Sequence, residues 1–185
     1  MIEGIVLAGG AGRRMNGQDK GLVVWRGKAM IDHIIENFAP QVDELILNAN
    51  RNHIDYQQRG YAVIPDKDSQ RLGPLAGIEV GLAAISSPWL AVVPCDGPIF
   101  PSDLVQRLYQ FAQTNQLPVT WVCQQGRDHP LFCLINKRLL DALSDFLHHQ
   151  GKRKVLAFFT HYGAAMDFNE PLPHFANFNH ELSLV

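Results

Sequence analysis

Apolar and polar positions follow two different patterns along the chain. Short apolar runs, typical of buried strands, occupy residues 4–8, 44–47, 62–64, 90–93, 119–122, 131–135 and 164–168. Between them lie stretches in which apolar residues recur every three or four positions, which predicts helices over residues 29–38, 74–85, 103–111, 139–147 and 154–159. Pro74 suits a first helical turn, and Ser102 is the expected N-cap of the third helix.

Helices that alternate with apolar strands predict an α/β fold. We expect a three-layer, Rossmann-like architecture in which a mostly parallel sheet is covered by helices on both faces. No repeat or linker divides the chain, so residues 1–185 are expected to form a single domain. Ligands of such folds bind at the carboxyl ends of the strands. Here those ends carry a glycine-rich loop, Asn48, Asp66 and Asp96.

The glycine-rich loop, LAGGAGRRMNGQDKGL at residues 7–22, matches neither of the common phosphate loops. A Walker A loop requires a lysine where this chain has Gln18, and a dinucleotide fingerprint requires a glycine where it has Met15. Its glycines nevertheless let backbone amides approach an anion closely, and Arg14 and Lys20 supply positive charge. The loop therefore predicts a phosphate-binding site of another type.

Composition and charge narrow the function classes. A net charge of −2 gives no general attraction to nucleic acid or to a membrane surface, and no apolar run approaches a transmembrane length. The three cysteines, Cys95, Cys123 and Cys133, lack zinc-ligand spacing and are expected to be small buried residues in a reducing cytosol. Glu3 and the early glycines do not resemble a signal peptide, so a cytoplasmic location is expected.

Four motifs together carry a resemblance to a known family. The loop at 7–22 is followed in order by GPLAG at 73–77, PCDGP at 94–98 and RDHP at 127–130. With these motifs the chain resembles the molybdenum cofactor guanylyltransferases, whose fold is that of the nucleotide-diphospho-sugar transferases. The resemblance implies transfer of GMP from GTP to the terminal phosphate of molybdopterin, with release of pyrophosphate and with Mg²⁺ as the metal.

The resemblance also implies roles for individual residues. The implied catalytic residues are Arg14, Lys20 and Asp96, with Asp96 as the Mg²⁺ ligand. The implied nucleotide-binding residues, mainly in the N-terminal part, are Leu7, Ala8, Gly9, Gly10, Gly12, Lys20, Asn48, Asp66 and Asp96. The implied pterin-binding residues, in the C-terminal part, are Arg127, His129, Arg153, Asn177 and Asn179. From the residues alone, ordinary turn chemistry remains an alternative for Asn48, Asp66 and Asp96.

The chain departs from the family pattern at two places, and two other functions stay open. Asn16 replaces a glycine of the loop, and NFNHELSLV lacks the Thr-Pro that often follows its asparagines. One alternative is a cytidylyl- or sugar-phosphate nucleotidyltransferase of the same fold, although relatives that transfer CMP tend to carry LAAG rather than LAGG. The other is a non-catalytic adaptor that binds GTP and molybdopterin.

The expected partners are the two substrates, with transient contacts to cofactor-biosynthesis proteins and acceptor apo-enzymes. No contact with nucleic acid or with a membrane is expected. The expected oligomeric state is a monomer.

Overall fold

The computed structural model describes residues 1–9, 19–67 and 72–178, and these residues fold around a seven-stranded sheet. The strands are β1 (Ile2–Leu7), β2 (Val24–Trp25), β3 (Lys28–Ala29), β4 (Glu44–Asn48), β5 (Ala62–Ile64), β6 (Trp89–Pro94), β7 (Val119–Gln124), β8 (Arg127–Asn136) and β9 (Ala164–Phe168). The helices are α1 (Met30–Phe38), α2 (His53–Gln57), α3 (Pro74–Ala84), α4 (Leu104–Asn115), α5 (Leu140–Ser144) and α6 (Val155–Tyr162). A π-helical turn, Asp145–His149, continues α5.

The strand order of the large sheet is β5-β4-β1-β6-β8-β7-β9. β1 pairs in parallel with both β4 and β6, β4 with β5, and β7 with β9. Only β8 runs against its neighbours, because it pairs antiparallel with β6 and with β7. The prediction of a mostly parallel sheet is therefore confirmed, and β2 and β3 form a separate antiparallel pair that was not predicted.

Two apolar cores, one on each face of the sheet, confirm the three-layer prediction. On one face α1 and α4 bury residues such as Phe38 and Leu108. On the other face α3, α5 and α6 bury residues such as Leu75, Leu143 and Phe159. Burial of this apolar surface is the main driving force for the arrangement. Among the helices of the described residues, none has the length and apolar character needed to cross a bilayer.

Two local predictions were wrong. Ser102 does not cap α4: the helix begins at Leu104, and the preceding residue, Asp103, makes no side-chain capping bond. The segment QQGRDHP is not a long turn, because only Gln125 and Gly126 turn the chain between β7 and β8. Both have positive φ, 52° and 75°, as a tight hairpin turn requires.

A buried carboxylate fixes the beginning of the sheet. Glu3 is 4% exposed, and its Oε1 accepts hydrogen bonds from the backbone amides of Ser86 (2.8 Å) and Ser87 (2.7 Å). The backbone amide of Glu3 donates in turn to the Ser87 hydroxyl, which donates to the carbonyl of Trp89. The side chain of Glu3 thus joins β1 to the segment that enters β6.

We predict that Glu3→Ala lowers the free energy of unfolding by about 2 kcal/mol or more, because amides without a partner remain in the interior. Glu3→Gln should cost less, since its amide oxygen can still accept. Urea denaturation monitored by circular dichroism measures both. The control is Glu44→Ala: Glu44 is the β4 residue paired with Glu3 but is exposed, so a change within about 0.5 kcal/mol is expected. Equal losses for the Glu3 and Glu44 variants would contradict this role.

Candidate active site

Three parallel strands end side by side and bring the predicted polar residues together. In the register of the sheet, Leu7 lies between Asn48 of β4 and Pro94 of β6. The pairing continues beyond the strands, because the Ala8 amide donates to the Asn48 carbonyl (2.8 Å) and the Cys95 amide donates to the Leu7 carbonyl (3.1 Å). The residues that follow β1, β4 and β6 therefore share one edge of the sheet.

Lys20 and Asp96 form an ion pair at this edge. The distance from Lys20 Nζ to Asp96 Oδ2 is 3.0 Å, and the two side chains are 27% and 15% exposed. The residues are separated by 76 positions in the chain, so the sheet, and not local sequence, brings them together. A cation and a carboxylate that both remain accessible at a strand end can contact a phosphate group and a metal ion, respectively.

The Asp66 carboxylate is held by two asparagines, one at the end of β4 and one just after it. Asn48 Nδ2 donates to Asp66 Oδ1 (2.9 Å), and Asn50 Nδ2 donates to Asp66 Oδ2 (2.9 Å). Asn50 also donates to the Gly9 carbonyl (2.9 Å) and accepts from the Asp66 amide (2.8 Å). Each carboxylate oxygen can accept more than one hydrogen bond, so Asp66 keeps acceptor capacity for a ligand.

Close packing around Asn48 explains two glycines of the motifs. A Cβ at Gly9 would lie 2.8 Å from Asn50 Nδ2 and 2.9 Å from Asn48 Oδ1. A Cβ at Gly77, the last residue of GPLAG, would meet Asn48 Oδ1 and lie 2.8 Å from Leu7 Cδ2. These distances are shorter than real Cβ atoms essentially ever show. A side chain at Gly9 or Gly77 would therefore displace the Asn48 amide from its position beside Asp66.

The segment that follows β9 returns to the Asp96 loop. The Phe175 amide donates to the Ile99 carbonyl, and the Phe178 amide donates to the Asp96 carbonyl, both at 2.8 Å. A groove of about 350 Å³ opens beside this segment. It is lined by Trp25, Arg26, Ile99, Pro173, Asn177 and Phe178. Asn177 therefore lies next to the loop that carries Asp96.

The first residues of β8 lie at the same edge as the other polar residues. β8 runs antiparallel, so Arg127 and His129 at its start are near the carboxyl ends of the other strands. The His129 ring packs 5.9 Å from the Phe175 ring, centroid to centroid. Partial burial, helped by the charge of Arg127, lowers the pKa of His129 below its ordinary value, which favours the neutral imidazole.

Sequence and structure comparisons identify relatives of this chain. Residues 4–165 match the family model of the MobA-like NTP transferase domain. The chain is 38% identical to the molybdenum cofactor guanylyltransferase of Mannheimia succiniciproducens over 179 residues. This alignment covers 96% of this chain and 94% of that protein. The chain belongs to the molybdenum cofactor guanylyltransferase family. Members of this family are nucleotidyltransferases, and the chain is therefore an enzyme of that class.

Solved structures agree with the fold of this guanylyltransferase family. Molybdopterin-guanine dinucleotide biosynthesis protein A from Archaeoglobus fulgidus superposes with a TM-score of 0.72 at 21% identity, covering 89% of this chain and 83% of that one. Rv0371c from Mycobacterium tuberculosis, solved as a complex with manganese, superposes with a TM-score of 0.74 at 16% identity. That superposition covers 99% of this chain and 97% of the mycobacterial one. At these identities the likeness supports the nucleotide-diphospho-sugar transferase fold.

Arg153, which the family resemblance implies for pterin binding, stands apart from the residues gathered around Asp96. Arg153 is exposed in the segment that precedes α6. The hydrogen bonds and ring contacts that join His129 and the Asn177 segment to the Asp96 loop do not extend to it. Seven residues named in the sequence analysis lie outside the described residues: Gly10, Gly12, Arg14, Met15, Asn16, Gln18 and Asn179.

The donor chemistry at Asp96 fits a hard divalent cation. In residues 1–9, 19–67 and 72–178 no group of three or more His, Cys, Asp or Glu side chains is placed to hold a metal ion. Mg²⁺ does not require such a cage, because it takes one or two carboxylates and completes its shell with water and substrate phosphates. The partly exposed carboxylate of Asp96, with the buried thiol of Cys95 turned to the interior, provides oxygen and not sulfur for such an ion.

Asn50 is a site residue that the sequence analysis missed. It lies two positions after Asn48, and residues two apart on an extended segment point to the same side. The repeated asparagines of NANRN were therefore a usable signal. A single sequence does not show, however, that both asparagines reach the same carboxylate, so only Asn48 was predicted.

We predict that Cys95, directly beside Asp96, resists alkylation in the folded protein. Burial raises the pKa of its thiol far above the ordinary value, and the negative charges of Asp96 and Asp19 contribute smaller increases. The thiolate is therefore scarce at pH 8. Cys133 is also buried with a raised pKa, whereas Cys123 is half-buried, contrary to the prediction of three buried cysteines. Although partial burial and, after it, hydrogen bonding to Asp167 also raise the pKa of Cys123, its exposure should make it the first to react.

Iodoacetamide labelling at pH 8, followed by peptide mass spectrometry, measures the order of reaction. Labelling in 8 M urea is the control, since all three thiols should then react at similar rates. Modification of Cys95 in the native protein as fast as Cys123 would contradict the buried position.

Proposed function

We propose that this edge of the sheet transfers GMP from GTP to the terminal phosphate of molybdopterin and releases pyrophosphate. The observation that carries the proposal is the Lys20–Asp96 pair, which lies at the same strand ends as an Asp66 carboxylate held by two amides. The pair supplies charges for a triphosphate and its metal, and Asp66 supplies an acceptor for a base. Relatives with 38% identity over nearly the whole chain carry the name of this activity.

Asp66 favours guanine through the pattern of donors on the base. Guanine presents N1–H and the N2 amino group side by side, and a carboxylate can accept from both. Cytosine offers one amino group beside N3, which is itself an acceptor and would face the carboxylate unfavourably. Asn48 and Asn50 fix the orientation of Asp66, so the acceptor pair is already in place when the base arrives.

The proposed chemistry is displacement at the α-phosphorus of GTP. An oxygen of the molybdopterin phosphate forms a bond to the α-phosphorus, and the bond from that phosphorus to the bridging β-oxygen breaks. The leaving pyrophosphate takes the electron pair. The attacking phosphate is already anionic at neutral pH, so no side chain is needed to remove a proton. Lys20 lowers the barrier by neutralising negative charge that develops on the leaving group.

Asp96 would hold the divalent ion that accompanies the triphosphate. When bound, Mg²⁺ neutralises phosphate charge and favours departure of pyrophosphate. The mycobacterial structural neighbour was solved with manganese, an ion that also prefers oxygen ligands. Lys20, which contacts one oxygen of Asp96, keeps the carboxylate oriented toward the strand ends.

The pterin is proposed to bind on the side of β8 and the segment after β9. His129 and Asn177 lie next to the Asp96 loop, and the exposed side chains of Arg127 and Arg153 are proposed to attract the substrate phosphate. The loop residues Gly10, Gly12 and Arg14 are proposed to contact the triphosphate, and Asn179 the pterin. A cytoplasmic monomer that contacts other cofactor-biosynthesis proteins and acceptor apo-enzymes transiently completes the proposal.

We predict that the protein releases pyrophosphate with molybdopterin, Mg²⁺ and GTP, and much more slowly when CTP replaces GTP. A coupled pyrophosphate assay measures both rates. Asp96→Asn should lower the rate with GTP by at least about 10²-fold, since it removes a charge that acts at the phosphates. Asp141→Asn, at an exposed position of α5, is the matched control and should retain full activity.

Release with CTP alone would overturn the guanylyl assignment and favour a cytidylyltransferase. Release with neither nucleotide would overturn catalysis and favour the adaptor. Full activity of Asp96→Asn would contradict the role of that carboxylate.

Asn50→Ala should weaken GTP binding about tenfold or more. The variant removes a donor to the charged Asp66 oxygen and the link to the Gly9 carbonyl, and a hydrogen bond to a charged group contributes about 1.5–3 kcal/mol. Isothermal titration calorimetry with GTP gives the dissociation constant. Asn115→Ala is the control, because Asn115 is exposed at the end of α4. Unchanged affinity in Asn50→Ala would show that Asp66 is held without it.

A further inference from the structure

Asp19 is a buried carboxylate directly before the lysine of the ion pair. Its side chain is only 5% exposed, although it lies within the glycine-rich loop at 7–22. Oδ1 accepts from the Tyr56 hydroxyl (2.6 Å) and from the Gly21 amide (3.2 Å), and Oδ2 accepts from Asn52 Nδ2 (3.0 Å). Arg51 Nε lies 3.8 Å from Oδ2. Such a set of donors stabilises a buried charge and fixes its orientation.

Asp19 is also the N-cap of the 3₁₀ turn Lys20–Leu22. The Asp19 carboxylate accepts a hydrogen bond from the Gly21 amide and so closes the turn. The position of this carboxylate therefore determines the position of the Lys20 backbone, which lies between the two residues. The Lys20 side chain then has to reach Asp96, 3.0 Å from its ammonium group. Any displacement of Asp19 is therefore passed to the catalytic lysine.

Tyr56 connects this cap to the rest of the protein. It comes from α2, its side chain is completely buried, and its hydroxyl makes the shortest of the bonds to Asp19. The hydroxyl lies so close to Gly21 that a Cβ there would overlap it. A phenylalanine would fill the same space in the core but could not hold the carboxylate.

We propose that Tyr56 is a positioning residue for the transfer reaction, acting through Asp19 on Lys20. The inference rests on the proposed function, in which Lys20 neutralises the leaving pyrophosphate. Burial raises the pKa of Tyr56 well beyond its ordinary range, and the hydrogen bond to the charged Asp19 raises it further. The hydroxyl therefore donates to Asp19 throughout the working pH range.

The same segment of chain serves both ends of the proposed nucleotide site. Asn48 and Asn50 hold the base-side carboxylate of Asp66, and within the next six residues Asn52 and Tyr56 hold the phosphate-side Asp19. Residues 48–56 thus set the distance between the acceptor for the base and the lysine for the phosphates.

A double-mutant cycle tests the path through Lys20. Tyr56→Phe should lower kcat at least about tenfold, since a displacement of about 1 Å at a reacting group can cost as much as 10²-fold. In the Lys20→Ala background, which is measured at high enzyme concentration, the same substitution should change kcat less than about twofold. Tyr109→Phe, a half-buried tyrosine that packs on Trp89 away from the site, should be neutral in both backgrounds.

A second measurement does not depend on catalysis. Lysines labelled by reductive ¹³C-methylation give separate NMR signals, and the signal lost in Lys20→Ala identifies Lys20. We expect that signal to lie apart from those of exposed lysines in the wild type, to move toward them in Tyr56→Phe, and to stay in place in Tyr109→Phe. Asn52→Ala, which removes the donor to the other Asp19 oxygen without touching the core, should move it in the same direction.

The outcomes separate the two proposals. A wild type that binds GTP but releases no pyrophosphate would overturn the proposed function, while the NMR signal would still decide whether Tyr56 positions Lys20. Equal losses of kcat from Tyr56→Phe with and without Lys20, or an unmoved Lys20 signal in Tyr56→Phe and Asn52→Ala, would overturn the positioning role. Thermal melting of each variant distinguishes general unfolding, which would shift all lysine signals, from a local effect.

Discussion

The double pairing of β1 is the constraint on which the site depends. Leu7 is the last residue of a strand that bonds in parallel to a neighbour on each side, so three chain segments must leave the sheet at the same level. That level is where Gly9, Asn48 and Asp96 are found. Parallel strands need long crossover connections, and for this reason groups far apart in sequence become neighbours at a strand end. The proximity of Lys20 and Asp96 follows from this arrangement.

Buried carboxylates then make the arrangement rigid. Glu3 holds two backbone amides, Asp19 is held by a phenol and an amide, and Glu79 of α3 has both oxygens 3.1 Å from His148 Nε2. A charge in the interior is very costly unless its partners stay in place, so each of these acids selects one local geometry. The interior acids fix structural elements, whereas Asp66 and Asp96 are more accessible and are the acids proposed for ligand chemistry.

The regular spacing of apolar residues in the sequence predicted most strands and helices of the fold, and the polar residues that follow the strands. Strand ends are visible in a sequence, so the apolar runs alone predict that Asn48, Asp66 and Asp96 lie at one edge of the sheet. Tyr56 could not be found, because an aromatic residue on a five-residue helix has no periodicity to separate a core role from a positioning role. The return of residues 171–178 to the Asp96 loop was also invisible to local patterns, since it depends on long-range backbone bonds, although family resemblance suggested Asn177.

The direction of β1 also determines how this enzyme can be handled. Met1 is exposed and adjoins the start of β1, at the opposite edge of the sheet from Asp96. Phe178, by contrast, is one backbone hydrogen bond from the Asp96 carbonyl. Affinity tags, fluorophores or surface linkers attached ahead of Met1 therefore project away from the proposed reaction centre. A large group inserted beside Phe178 would instead crowd the groove lined by Asn177, so the amino-terminal side is a suitable place for immobilisation and fusion.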